Sequence, residues 1–231
     1  MPTALDVAFI AQRERLAQIT QQNVVRLWTL NHNDRERALD VVVQTVEAGQ
    51  RQSVHLVNAY MTASSRAAGH DAKTMALDPN AYTTTTLRGV DAREVYARPW
   101  GALGGQLAEG AEYTAALQSA QFMAGKLART DLQMAHRSAA HDWLAQDTRV
   151  VGWRRVLGGS KHCALCSQAA TRTYRKADLM PIHEGCHCSV APVYGREPVA
   201  SVGTTVRVEH DPELGPRLVA DNWQQTGPRL I

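Results

Sequence analysis

All four cysteines of this chain fall between Cys163 and Cys188, and they hold most of the chemistry it could carry. They occur as Cys163-Ala-Leu-Cys166 and, farther on, within His183-Glu-Gly-Cys186-His-Cys188. Thiolates three residues apart form a tight knuckle that presents two sulfurs to one ion, and zinc takes four sulfur or nitrogen ligands in a tetrahedron. Cys163, Cys166, His183, Cys186 and Cys188 together offer more ligands than one such site needs. His183 and Cys186 repeat the knuckle spacing, whereas Cys186 and Cys188 would point to the same side of a strand. Two of those three complete the shell begun by Cys163 and Cys166, and spacing leaves open which two. The N-terminus lacks the charged-then-apolar pattern of a signal peptide, so synthesis in a reducing cytosol is expected. There a tight cysteine cluster points to a structural Zn2+ in preference to disulfides.

Other chemistry is weaker. His183-Glu184-Gly185-Cys186-His187 spells HExxH, but that peptidase signature needs a helix to set both imidazoles on one face beside an activating glutamate. Pro181 upstream, Gly185 inside and Pro192 downstream argue against such a helix, so no catalytic residues are expected. His136 and His141, beside Asp131 and Asp142, are spaced poorly for a shared helix face. Neither GxSxG nor a phosphate-binding glycine loop is present. Arg149, Arg154, Arg155, Arg172, Arg175 and Lys176 could contact DNA, although a solvated face explains them more simply. The net charge of +3 is dispersed and does not announce a nucleic-acid binder. No apolar run is long enough for a membrane helix, so no membrane partner is expected.

The elements that position the cluster follow from the pattern around it. Leu5, Phe9, Leu16, Ile19, Leu27 and Leu30 fall mainly on one helix face. Asn33-Asp-Arg-Glu36 resembles a capping signal for a second helix, whose seam runs through Leu39, Val42, Val46, Gly49, Ser53, Leu56 and Tyr60. Gly49 and Ser53 there would let another helix come close. A third run carries Tyr113, Leu117, Ala120, Ala124 and Leu127, with Leu132, Met134 and Trp143 farther on. Between them, Asp78-Pro-Asn80, the threonines of 83–86, and Arg98-Pro-Trp-Gly101 with Gly104-Gly105 predict a loop or hinge. Strands are expected at 149–157, 171–174 and 189–194. The whole reads as α+β: a helical body over 1–148, a small zinc-stapled β-rich module over 149–195, and an extended Pro/Gly-rich tail over 196–231. Within that tail Gly215-Pro-Arg-Leu-Val219 is echoed by Gly227-Pro-Arg-Leu-Ile231. So small a β module usually needs a metal or disulfide staple, and chelation is expected to unfold it while the helices persist.

Cys163, Cys166, Tyr174, Pro181, His183, Cys186 and Cys188, preceded by a long helical part and Trp153-Arg-Arg-Val-Leu157, resemble the close of the MuF-type minor head proteins of tailed bacteriophages. The likeness is specific over the C-terminal module and general over the helices. His187 stands where that family commonly has arginine, and it adds one more possible ligand. The resemblance implies a virion protein near the portal inside the head, with host cytoplasm as its place of assembly, and the lack of residues to carry proteolysis makes a non-enzymatic protein the expectation. Implied partners are the portal protein and the major capsid or scaffold protein, with packaged DNA as a further contact, and the implied work is head assembly and DNA packaging or ejection. Relatives of this type are often labelled capsid maturation proteases. A zinc protease using His183, Glu184 and His187 is therefore the rival reading.

Overall fold

The computed structural model describes residues 2–71, 74–158, 164–178, 186–195, 206–211 and 215–220. Three long helices dominate it: α1 (Ala4–Asn31), α2 (Arg35–Ala67) and α5 (Tyr113–Gln146). Each starts on a side-chain cap that satisfies amides the helix itself cannot. Thr3 and Asp6 form a reciprocal capping box on α1, with Asp6 Oδ2 accepting from the Thr3 amide at 2.8 Å. Asp34 caps α2 by accepting from the Arg37 amide, one residue later than the Asn33 signal suggests. Glu112 does the same for α5 through the Ala115 amide.

The α2 seam is as expected, with Leu39, Val42, Val46, Gly49, Ser53 and Tyr60 buried. Gly49 marks a close helix approach: a β-carbon there would lie 2.8 Å from Thr20 Oγ1 and 3.2 Å from Leu132 Cδ1. On α5 Ala120, Ala124, Leu132 and Trp143 are buried as expected, while Leu117, Leu127 and Met134 of the expected run are half-buried beside the line. The buried line runs through Ala116, Ala120, Ala124, Ala128, Leu132, Ala135, Ala139 and Trp143, whereas Tyr113 is exposed. Alanines fill most of the line, where neighbouring helices come close, and Leu132 and Trp143 are its larger members.

The expected loop or hinge is mostly helical. Asp78 caps a 3₁₀ turn at Pro79–Tyr82, and short α3 (Thr84–Arg88) follows. Helix α4 (Ala92–Ala108) then runs through Pro99, Gly101, Gly104 and Gly105. An interior proline costs about 3 kcal/mol of helix stability. Here tertiary packing outweighs it, because α4 buries Val95, Tyr96 and Pro99 against the bundle, and Trp100 Nε1 donates to the His32 carbonyl at 2.9 Å. Buried Asp131 ties the segment down further, accepting from Thr84 Oγ1 at 2.9 Å, Tyr96 OH at 2.7 Å and Arg88 Nε at 2.6 Å.

Strands β1 (Val150–Val156), β2 (Thr173–Tyr174) and β3 (Ser189–Tyr194) form an antiparallel sheet in the order β2-β1-β3. Trp153 sits opposite Tyr174 on one side and Pro192 on the other, and it stacks on Tyr174 with ring centroids 4.2 Å apart. Pro192 is tolerated because β3 pairs on one side alone among the described residues. Val150, Trp153, Val156, Val190 and Ala191 share one hydrophobic core with Phe9, Val54, Val57, Tyr60 and Trp143 of the helices. The sheet is thus built onto the helical body.

In the expected tail, β4 (Val206–Asp211) and β5 (Gly215–Ala220) pair as an antiparallel hairpin, with Val208 opposite Leu218 and Glu209 opposite Arg217. The alternating Val-Arg-Val-Glu pattern outweighs the Pro and Gly content around it. The first GPRL copy lies in β5, and the second lies outside the described residues. Among the described residues no helix is long and apolar enough to cross a membrane.

Candidate metal centre

The end of β1 leads through Leu157 and Gly158 toward α6 (Ala164–Ala169), which carries Cys166, while Cys186-His187-Cys188 leads directly into β3. The fold thereby brings Cys166, Cys186 and Cys188 together. Their three Sγ atoms lie within 4.8 Å of one another, Cys166 and Cys186 at 3.5 Å, and all three residues are buried free thiols. Metal–sulfur bonds of about 2.3 Å in a tetrahedron separate sulfurs by roughly 3.8 Å, so the trio is close to one face of such a site. This group could hold a metal ion. Of the ligand pair left open by spacing, Cys186 and Cys188 both reach Cys166. Cys163 and His183 lie outside the described residues.

Helices α1 and α5 grip the cysteine loop from the bundle side. Arg13 of α1 donates Nη1 to the Cys188 carbonyl at 3.0 Å and Nη2 to the His187 carbonyl. Gln133 of α5 donates to the Cys186 carbonyl at 2.7 Å. The His187 ring meets Glu14 Oε2 at 2.9 Å through Nδ1, and Arg129 donates to the same glutamate. That contact turns Nδ1 of His187 to Glu14. Gly158 closes the other side, where a β-carbon would fall 2.1 Å from the His187 carbonyl oxygen. Its backbone N–H also bonds to Cys188.

The local field is positive. Arg155 of β1 is buried, with Nη1 3.5 Å from Cys166 Sγ and 3.8 Å from Cys186 Sγ. The hydrogen bond from Cys186 draws Cys188 down to about 4 against the opposing effect of burial, with the Gly158 amide, Cys166 and Arg155 adding to it. The hydrogen bond to Cys188 and burial push Cys186 up in turn. The two thiols are thus coupled through one hydrogen bond and titrate as a pair.

The remaining candidates fall elsewhere. Residues 186–188 are not helical, and His183 and Glu184 of the HExxH segment lie outside the described residues. His136 is buried in the core with Nε2 3.2 Å from Ser189 Oγ, and burial beside Arg13 and Arg137 holds it well below the usual histidine range. His141 pairs with its neighbour Asp142. The basic residues pooled as a DNA patch are largely engaged within the fold. Arg149 pairs with Asp147 at 2.8 Å, Arg154 with Asp6 at 2.6 Å and Arg175 with Asp178 at 3.1 Å, and Lys176 Nζ donates to the Asp147 carbonyl at 2.7 Å. Sequence reasoning missed Arg13, Gln133 and Gly158 as parts of the site. Arg13 and Gln133 carry no local signal, since they meet the loop from 175 and 53 residues away.

Fold and site together define a mainly helical α+β protein whose small sheet is entered through a buried three-cysteine centre. The family model described as VG15 protein matches residues 3–208, and the chain belongs to that family. It is a viral gene 15 family and points to a phage protein of the virion-related kind. No curated protein and no solved structure matches the chain.

Proposed function

We propose that this chain is a minor head protein of a tailed phage, of the MuF type, and that it works as a structural component without catalytic activity. The observation that carries this reading is the meeting of Cys166, Cys186 and Cys188 in a buried centre at positions where the MuF resemblance lies. The donor set fits zinc: soft thiolates, buried, close to tetrahedral spacing. Cys163 or His183 supplies the fourth ligand. The ion contributes folding free energy, about 10–16 kcal/mol for structural zinc in small modules. The chain's own residues do the rest, with Arg13, Gln133 and Gly158 fixing the loop on which two of the sulfurs sit. The protein acts in the phage head near the portal after assembly in the host cytoplasm. Its partners there are the portal and the major capsid or scaffold protein, and its work is head assembly and DNA packaging or ejection.

Protein purified under reducing conditions is expected to contain close to one zinc per chain, and less than half a zinc per chain counts against the reading. In infected cells the protein should sediment with portal-containing heads. Glu184→Gln should leave capsid-protein processing unchanged, and loss of processing in that variant would replace the structural role with a protease.

A further inference from the structure

A buried guanidinium ordinarily needs an anion at hydrogen-bonding distance, because taking its charge out of water is costly. On β1, Arg154 and Arg155 point to opposite faces, as strand geometry requires. Arg154 meets the Asp6 carboxylate at 2.6 Å. Arg155 is 3 % exposed, and its Nη1 faces two sulfurs at once, Cys166 at 3.5 Å and Cys186 at 3.8 Å. Those sulfurs belong to different segments, α6 and the loop before β3, and lie 3.5 Å apart. A second guanidinium, that of Arg13, approaches the same loop from α1 and holds the Cys188 and His187 carbonyls. Three thiolates around a divalent cation carry a net negative charge whether the fourth ligand is neutral or anionic. In a desolvated site that charge calls for a fixed positive partner. Arg155, rigid and permanently charged, can supply it while steering both sulfurs through N–H donors.

We propose that Arg155 is a positioning residue of the metal centre: it turns the sulfurs of Cys166 and Cys186 toward a common point and supplies the buried counter-charge of the thiolate–metal unit. This inference rests on the metal-binding reading above. It makes Arg155 part of the centre's outer shell, where loss of a partner typically lowers metal affinity 10–100-fold.

The test is zinc competition against a chromophoric chelator on the full chain. Arg155→Met is expected to weaken zinc binding by about 10–100-fold. Arg155→Lys should recover part of that loss, restoring charge without the guanidinium fork. Arg154→Met, which removes the neighbouring arginine and its pair with Asp6, should bind zinc as the wild type does. Wild-type protein that takes up no zinc would overturn the metal reading and this inference together. Wild-type protein that takes up zinc no more tightly than Arg155→Met would overturn the role of Arg155 alone. If Arg155→Met fails to fold, wild-type protein loaded with ¹¹³Cd decides the matter by NMR. Scalar coupling between the metal nucleus and the Arg155 Nη protons is expected, and its absence overturns the proposal.

Discussion

Two glycines show how narrowly single residues are constrained around the site. Gly158 sits where a β-carbon would collide with the His187 carbonyl oxygen at 2.1 Å and crowd Ile10 at 3.0 Å. The first of these is backbone, so no rotamer change relieves it. Gly158→Ala should therefore push the Cys186–Cys188 loop outward, away from Cys166, and lower zinc occupancy as well as stability. Gly49 gives the comparison, because its clash is with the side chains of Thr20 and Leu132 and with no atom of the cysteine loop. Gly49→Ala gains about 1 kcal/mol of helix propensity but overpacks a helix crossing, a fault that typically costs about 1–3 kcal/mol. The net expectation is a modest fall in stability with zinc content unchanged. Urea unfolding and metal analysis on the two variants separate these outcomes, and a Gly158→Ala protein with full zinc content would contradict the account of the loop.

At the scale of elements, the sheet and the cysteine loop differ in what holds them. β1 and β3 bury Val150, Trp153, Val156, Val190 and Ala191 in the core they share with α1, α2 and α5, so their anchorage does not depend on metal. Cys166 on α6 and the 186–188 loop have a much smaller cluster, the three cysteines with Leu157. Chelation is therefore expected to raise hydrogen exchange across 164–169 and 186–188 while the β1–β3 amides stay protected. Equal loss of protection in both would show that the metal supports the whole sheet. This replaces the simpler expectation from composition, in which a fifty-residue-scale module depends on its staple as a unit. The strands themselves were legible: Ser189–Tyr194 and the run around Trp153 are β-branched, aromatic and bounded by turns. So were the long helices as elements, although on α1 Ile19 and Leu30 of the expected face are exposed and Val24 and Trp28 are buried. What local sequence could not show was where each face lands. Pro99 and the glycines of α4 read as an interruption because the burial of Val95 and Tyr96 against other helices is nonlocal. On α5 the spacing located Ala120, Ala124, Leu132 and Trp143 but not the added alanines Ala116, Ala128, Ala135 and Ala139, since the approach of neighbouring helices decides which residues fit. In the site, the cysteines were readable from spacing, whereas Arg13 and Gln133 belong to helices whose own patterns concern bundle packing alone.

Across the whole molecule, three carboxylates join the helical body to the sheet and the cysteine loop. Asp6 on α1 holds Tyr60 and Arg154, Glu14 on α1 holds Arg129 and His187, and Asp147 after α5 holds Arg149. Burial alone would raise all three above the ordinary carboxylate range. Hydrogen bonds overturn it: from Tyr60, the Thr3 amide and Arg154 on Asp6, from Arg129 and His187 on Glu14, and from the Arg149 side chain and amide on Asp147. Each is consequently depressed in the folded state. A depressed carboxylate contributes stability that is present above its unfolded value, about 4, and is lost as pH falls through the lower folded value. Acidification should therefore weaken the junction of the bundle with the sheet and the cysteine loop. Buried His136 adds to the same trend earlier. Its folded value is held below 6.5, so the unfolded chain takes up the proton first and stability begins to fall below about pH 6.5. Urea unfolding from pH 7 to pH 2.5, with chelator present throughout so that metal release does not contribute, should show a decline that steepens below pH 4. Asp6→Asn should be less stable than the wild type at pH 7 and converge with it at the acid end, because the wild type has by then lost the same charge. Parallel curves for the two proteins would mean that Asp6 does not join α1 to Arg154 of the sheet in the way its 2.6 Å contact implies.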